Sequence, residues 1–343
     1  SIMTESICIL PNTTGLGGPA SFQARLIAGL HERHIPVHHN PDDPTCRTVL
    51  VIGGTKRLDL LIKAKRRGLR IVQRLNGMNW IHRKKDTGIP HYLRSEWGNW
   101  LLSTIRRRLA DEIIYQSQFA RTWWQTVYGQ VNARGRVIFN GVDLKTFTPE
   151  GKHNRPKEGL RILVVEGHLR GGYEMGLETA LELCKALAPR LQQPLELMVA
   201  GDVDPDLKDW AQQRTAVPIR WAGVVPRTEI PELDRSAHLL FSADLNAACP
   251  NSVIEALACG LPVAAYATGS LPELLADDAG RVANYGTNYW ELEAPVIENL
   301  ADAAEVILKD EMHFRQAARA RAEAAFGLDA MVSQYIEVLL PGR

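Results

Sequence analysis

Ala247-Ala248-Cys249-Pro250-Asn251-Ser252-Val253-Ile254-Glu255-Ala256-Leu257-Ala258-Cys259-Gly260-Leu261-Pro262-Val263 is the stretch on which the reading of the fold turns. An apolar run, His238-Leu239-Leu240-Phe241-Ser242, precedes it, and a second, from Pro262 to Tyr266, follows. Between them Pro250 opens a helix and Gly260 closes it, because proline fits a first helical turn and glycine fits just past the last. Strand, helix and strand at this spacing make one repeat of a parallel sheet covered by helices. The helix reads Val, Ile, Ala, Leu, Ala around a single acid, Glu255. Burying a lone carboxylate is costly, so Glu255 is either paired or directed at a ligand hydroxyl. The amides of Asn251, Ser252 and Val253 come before the helical ladder closes, so the helix start suits an anion. A phosphate at the start and a sugar hydroxyl one turn on satisfy both.

The same alternation extends along the whole chain. Strands are expected at 6–10, 36–39, 48–52, 70–74, 112–116 and 137–139 in the first half, with helices at 20–33, 58–67, 92–109 and 119–128. In the second half strands are expected at 161–165, 195–200, 219–222, 238–242 and 263–266, with a long helical run over 297–326. Residues 145–159 hold Pro149, Gly151, Pro156 and Gly159 and few apolar side chains, and read as a linker. A final helix covers 330–340. Two α/β domains result, 1–150 and 151–327. Ligands of such sheets bind beyond the carboxyl ends of the strands.

Composition sets outer limits. The chain has 343 residues, 45% hydrophobic and 23% charged, as in a globular protein of two ordinary domains. No apolar run reaches the roughly 18–20 residues that span a bilayer. The first residues lead straight into a strand, so no secretory leader is expected, and Ser1-Ile2 ahead of Met3 reads as a cloning remnant. Five cysteines without a CxxC pair point to reduced thiols and a cytoplasmic setting. The net charge of +1 conceals a basic first half: residues 1–150 hold 22 Lys/Arg against 11 Asp/Glu. That imbalance suggests an anionic partner for the first half.

The 250–262 block, the loop Gly15-Leu16-Gly17-Gly18-Pro19-Ala20 and the central Asn140-Gly141-Val142-Asp143 together resemble glycosyltransferase family 4, retaining enzymes of the GT-B fold. The resemblance implies two Rossmann-like α/β domains facing across a cleft. It also implies a last helix, 328–343, that crosses back to the first domain. It implies a nucleotide-diphosphate sugar as donor (UDP-sugar favoured), a glycan or lipid-linked acceptor, and no required cofactor or metal. The donor side then comprises Gly17, Gly18, Gly167, His168, Arg170, Gly171, Gly172, Tyr173, Gly223, Val224, Cys249, Pro250, Asn251, Ser252, Val253 and Glu255, with Glu255 on the ribose.

Two residues depart from the family pattern. Its acidic pair is spaced E-x7-E, and the first acid falls on Ala247, which leaves Asp244, Asn246 or backbone amides to meet the donor sugar. The family's Arg and Lys after the first strand of this domain fall on His168 and on Tyr173 or Met175, which leaves Arg170 as the diphosphate cation and, with Asn76, the expected catalytic pair. Gly15 to Ala20 also satisfies GxGxxA, the dinucleotide pattern, but the acid that NAD would need after the second strand is replaced by Asn40, with Asp42 and Asp43 beyond it. Asp202-Val203-Asp204 is a literal DxD, better read as a helix N-cap at Asp204 than as a metal motif.

On the acceptor side, Gln73-Arg74-Leu75-Asn76-Gly77-Met78-Asn79-Trp80 leaves a strand end, making Asn76, Gly77 and Asn79 acceptor candidates beside Asn140. Two helices suit an anionic membrane surface: one with Lys63, Lys65, Arg66 and Arg67, the other with Trp97, Trp100, Leu101, Leu102, Arg106, Arg107 and Arg108. Helix-dipole complementation with core tryptophans explains the same residues. No nucleic-acid motif is present. A retaining glycosyltransferase, cytoplasmic or peripheral at the inner membrane face, is the expected function. A non-catalytic nucleotide-sugar binding protein, a GT-B epimerase or inverting transferase, and an NAD dehydrogenase are the alternatives.

Overall fold

The computed structural model describes residues 4–15, 17–168 and 175–343, with backbone alone for Gly167 and His168. Arg170, Gly171, Gly172 and Tyr173 lie outside the described residues. The chain divides into two compact units, Ser1–Gly141 with Leu328–Arg343, and Val142–Gly327.

In the first unit the strands β1 (Ser6–Leu10), β2 (Val37–His38), β3 (Cys46–Ile52), β4 (Arg70–Leu75), β5 (Glu112–Tyr115) and β6 (Arg134–Val137) form a parallel sheet ordered β2-β1-β3-β4-β5-β6. Its helices are α1 (Gly18–Glu32), α2 (Leu58–Arg66), α3 (Ile89–Thr104) and α4 (Gln118–Tyr128). Alternate residues of β1 and β3 serve opposite faces. Ile7, Ile9, Leu50 and Ile52 pack with Phe22, Leu26 and Leu30 of α1, while Cys8, Val49 and Val51 pack with Leu61 and Ala64 of α2. Covering both faces requires nearly continuous apolar strands, which is why these runs stand out in the sequence.

The second unit repeats the plan with β7 (Leu160–His168), β8 (Leu195–Asp202), β9 (Ile219–Gly223), β10 (Leu239–Ser242), β11 (Val263–Tyr266) and β12 (Gly280–Ala283), ordered β12-β11-β10-β7-β8-β9 and parallel. Its helices are α5 (Met175–Leu187), α6 (Pro205–Arg214), α7 (Ile230–Arg235), α8 (Asn251–Ala258), α9 (Leu271–Leu274), α10 (Ile297–Lys309) and α11 (Glu311–Ala325). From β7 the chain builds outward through β8 and β9, then returns to lay β10 on the other side. The β7/β10 border is therefore the topological switch point, where α/β sheets open a crevice for ligands. The last helix, α12 (Leu328–Leu339), packs Met331, Val332, Tyr335, Val338 and Leu339 into the first unit's core. Gly29 permits this approach, since a Cβ there would meet Val332 Cγ2 at 2.5 Å.

Several elements differ from the sequence reading. The run 297–326 is two helices, because Asp310 leaves helical geometry at φ −132°, ψ 49°. The strand β12 is absent from that reading: only four residues long, it sits at the sheet edge with Arg281 and Val282 exposed. β6 comes earlier than 137–139, and the helix expected at 92–109 starts at Ile89 and ends in a π-helical turn, Ile105–Leu109. Residues 145–159 are anchored on the second unit: Arg319 donates to the carbonyls of Leu144, Phe147 and Ala258, and Arg235 to those of Thr148 and Lys152.

His238, at the foot of β10, is a buried neutral imidazole: its Nδ1 accepts from Arg161 N–H at 2.9 Å. Burial and the nearby Arg155 and Arg315 push its pKa down to about 4. Because the folded value lies below the unfolded one, His238 contributes stability at neutral pH that is lost as pH falls from about 6.5 towards 4, by about 3 kcal/mol. His238→Gln should flatten that part of the stability–pH curve in urea melts. An unchanged acid limb would contradict the assignment.

Candidate functional site

Three strand ends and one helix start define the site in the second unit. β7 ends at Glu166-Gly167-His168, with His168 paired to Asp202 across a bulge between Val165 and His168. The bulge exists because β8 crowds β7 here: a Cβ on Gly201, whose φ is +137°, would lie 2.0 Å from the Glu166 carbonyl oxygen. β9 ends at Gly223, φ +69°, with open space around it and Val224 exposed beyond. β10 leads through Asp244 and Asn246 to α8, whose N-cap, Pro250, makes no side-chain capping bond.

Helix α8 begins where the sequence placed it. The Val253 amide bonds the Pro250 carbonyl at 3.2 Å, so it is not one of the amides left to an anion as the sequence suggested. Gly260, φ +72°, closes the helix, with Leu261 N–H on the Ala256 carbonyl at 2.9 Å. Cys249 is buried and Glu255 half-buried. Glu255 interacts electrostatically with Asp234 of α7, a residue the sequence did not single out. Asp234 is buried and its Oδ2 has no hydrogen-bond partner. Desolvation, then the Glu255 charge, raise its pKa well above the carboxylate range. Raised in this way, Asp234 favours its neutral form beside Glu255.

A second acidic pair sits at the switch point. Glu166 ends the apolar part of β7 and Asp244 follows β10, the adjacent strand. Among the described residues no group donates a hydrogen bond to either carboxyl. Asp244 keeps open surface, yet the protein crowding it raises its pKa by desolvation. Glu166 is raised by desolvation and then by Asp244. Nearby, Asn246 takes φ +59° and is 4% exposed, with neither amide atom partnered. The β11–α9 loop braces this segment: Ser270 N–H bonds the Ala247 carbonyl at 3.0 Å, and a Cβ on Gly269 would strike Ala247 N at 2.7 Å.

The first-unit candidates fall into two groups. Gly17 is the N-cap of α1, and Gly17 and Gly18 are exposed, with the loop tied to α1 through Thr13 N–H on Gln23 Oε1 at 3.0 Å. Asn76 and Asn140 instead join an internal network. Arg74 donates to Asn76 Oδ1 at 3.2 Å and to Asn140 Oδ1 at 2.7 Å, and Gln116 bridges the two asparagines. Asn140 is buried, while Asn76 and Gly77 are partly open. Asn79 is exposed, with its backbone clasped by Asn99. Asp204 takes the N-cap position of α6, although its side chain makes no capping bond. Among the described residues no three His, Cys, Asp or Glu side chains cluster as a metal site, none of the five buried cysteines forms a disulfide, and no helix is long and apolar enough to cross a membrane.

A family model described as glycosyl transferases group 1 matches residues 150–325, just over half of the chain and nearly all of the second unit. The chain belongs to this family. A curated relative, a phosphatidylinositol N-acetylglucosaminyltransferase subunit of Arabidopsis thaliana, is 26% identical over 147 residues, 41% of this chain and 31% of that protein. The chain thus spans about a third of that relative. Among solved structures, Anabaena Alr3699/HepE in complex with UDP and glucose is similar with TM-score 0.69 at 15% identity, over 98% of this chain and 99% of that one. WaaG, a glycosyltransferase involved in lipopolysaccharide biosynthesis, is similar with TM-score 0.70 at 14% identity, over 98% and 100%. The paired Rossmann-like units are the GT-B architecture.

Proposed function

We propose that this chain is a retaining glycosyltransferase of the family 4 type, moving a sugar from a UDP-sugar to a hydroxyl of a glycan or lipid-linked acceptor. The observation that carries the reading is the start of α8 after Pro250, with Glu255 one turn on, following the strand β10 of the second sheet. The Asn251 and Ser252 amides take diphosphate oxygens and Glu255 accepts from the ribose hydroxyls, while Gly223 and Val224 meet the base through backbone. By the family resemblance, Arg170 supplies the cation, and Gly167, His168, Gly171, Gly172 and Tyr173 belong to the donor side. The UDP bound to HepE, which shares the fold, supports the choice of base.

Chemically, the diphosphate leaves as amides and a cation stabilise its growing charge. The acceptor hydroxyl then attacks the face the leaving group vacated, its oxygen bonding the anomeric carbon as its proton passes to an oxygen of the departing diphosphate. With alanine at 247, Asp244 and Glu166 take over the donor sugar's hydroxyls. Asn76, Gly77 and Asn79 face the acceptor, and Asn140 positions Asn76 through Arg74 and Gln116. We place the enzyme in the cytoplasm, at an anionic inner membrane face.

Incubation with labelled UDP-, GDP- and ADP-sugars tests this. Slow release of sugar from the UDP compound alone, with the anomeric configuration retained, is expected. Saturable UDP-sugar binding without turnover would instead establish the non-catalytic binding protein that the alanine at 247 favours.

A further inference from the structure

Helix α3 of the first unit presents an apolar face that no described residue covers. Ile89, Leu93, Trp97 and Trp100, spaced i, i+4, i+8 and i+11, are 77%, 61%, 53% and 49% exposed. That spacing sets them on one side of the helix. Ser95, Asn99 and Leu101 are the residues this helix buries in the fold. The two indoles stack at 4.9 Å with 19° between planes, forming one flat apolar plate. A monomeric surface seldom leaves a contiguous stripe of large side chains in water without a partner.

Charge decides which partner. Residues 81–108 hold seven Lys/Arg and two Asp/Glu. One of the acids, Glu96, is held by His82 Nε2 at 2.8 Å and by Arg83 Nε and Nη2, at 2.7 and 3.0 Å. Those bonds, Arg83 first, lower its pKa to about 2, so the carboxylate stays ionised and its charge is offset by Arg83. Lys85, Arg94 and Arg108 are exposed, and among the described residues none of them enters an ion pair. A second copy docking through the same stripe by two-fold symmetry would set these cations against themselves. An anionic bilayer surface pairs them while taking up the indoles, which favour the headgroup boundary.

We propose that the outward stripe of α3, bordered by Lys85, Arg94 and Arg108, docks this protein on an anionic lipid bilayer. The stripe lies shallowly at the headgroup level, with Leu93, Trp97 and Trp100 inserted and the cations on lipid phosphates. Leu101, Leu102 and Arg106, read from sequence as part of this face, belong elsewhere: Leu101 is buried, Leu102 packs over Gly54, and Arg106 is buried on the Tyr115 hydroxyl. On α2 the cations are mostly engaged, since Lys63 and Arg67 pair with Asp42 and Lys65 with Asp111, which leaves Arg66. The proposal names the surface partner within the reading above but does not depend on the chemistry at Glu255.

The test is co-sedimentation of the full chain with phosphatidylglycerol-containing vesicles and with pure phosphatidylcholine vesicles, at low and high salt. Binding to the anionic vesicles with a blue shift of tryptophan emission, weakened by salt, is expected. The triple variant L93S/W97S/W100S should bind roughly tenfold more weakly or worse, and Arg94→Glu should remove most of the salt dependence. Both should keep the wild-type circular dichroism and UDP-sugar turnover in vesicle-free buffer, so a failed activity reading and a failed docking reading remain distinct. Wild type that ignores anionic vesicles at low salt, or a triple variant that binds equally, overturns the proposal. A vesicle-independent dimer abolished by the triple substitution assigns the stripe to a second copy and overturns it too.

Discussion

Glu255→Ala is expected to lower kcat/KM for the sugar nucleotide roughly 100-fold, and Glu255→Gln roughly tenfold, with the thermal midpoint unchanged or slightly raised. A hydrogen bond to a charged group contributes about 1.5–3 kcal/mol, and a carboxylate spanning two ribose hydroxyls falls at the upper end of that range. The amide keeps one acceptor but loses the charge, which accounts for the smaller deficit. Stability should not suffer, because the Glu255 charge raises the pKa of the buried Asp234 and removing it relieves that repulsion. Enzyme kinetics beside a melting curve check both halves. A loss of stability matching the loss of activity would make Glu255 a structural group and remove it from the site.

Gly201→Ala should be among the most damaging single-methyl changes in the second unit, at about 3 kcal/mol or more. The φ of +137° already disfavours any side chain, and the new Cβ would sit 2.0 Å from a backbone oxygen of β7, which has no rotamer to escape into. Either β8 parts from β7 or the end of β7 moves, and Glu166-Gly167-His168 moves with it. Activity should therefore fall even in molecules that remain folded. Gly68→Ala is the control: its φ is +79° with nothing within 4 Å, so strain of about 1 kcal/mol is all it should cost. Urea melts of the two variants compare them directly, and equal midpoints would mean that β8 does not crowd β7 as described.

Much of the architecture was legible because parallel strands covered on both faces must be almost wholly apolar. Ile7-Cys8-Ile9-Leu10 and Val49-Leu50-Val51-Ile52 announce themselves for that reason, as does the strand–helix–strand repeat around Pro250 and Gly260. β12 was not legible, since an edge strand reading Gly-Arg-Val-Ala needs no apolar run. The break at Asp310 was hidden because helical periodicity continues on both sides of it. In the site, the helix start and Glu255 were readable from residue types alone. Asp234 was not: Ile-Pro-Glu-Leu-Asp-Arg looks like any surface helix, and only the packing of α7 on α8 shows that its acid is buried beside Glu255. The inward network of Asn140 was equally invisible, because an asparagine before glycine reads as a turn until Arg74 and Gln116 are placed around it. For α3, the sequence supplied the tryptophans but not the side they occupy, since Leu101 and Leu102 make the helix apolar on two faces.

The central claim is that the nucleotide is held by the start of α8 and by Glu255. A crystal structure of the protein with bound UDP tests it most directly. The account predicts ribose hydroxyls within hydrogen-bond distance of the Glu255 carboxylate and diphosphate oxygens on the amides of Asn251 and Ser252. Density for UDP away from α8, or a Glu255 side chain turned from the ribose while UDP occupies the second unit, would contradict it.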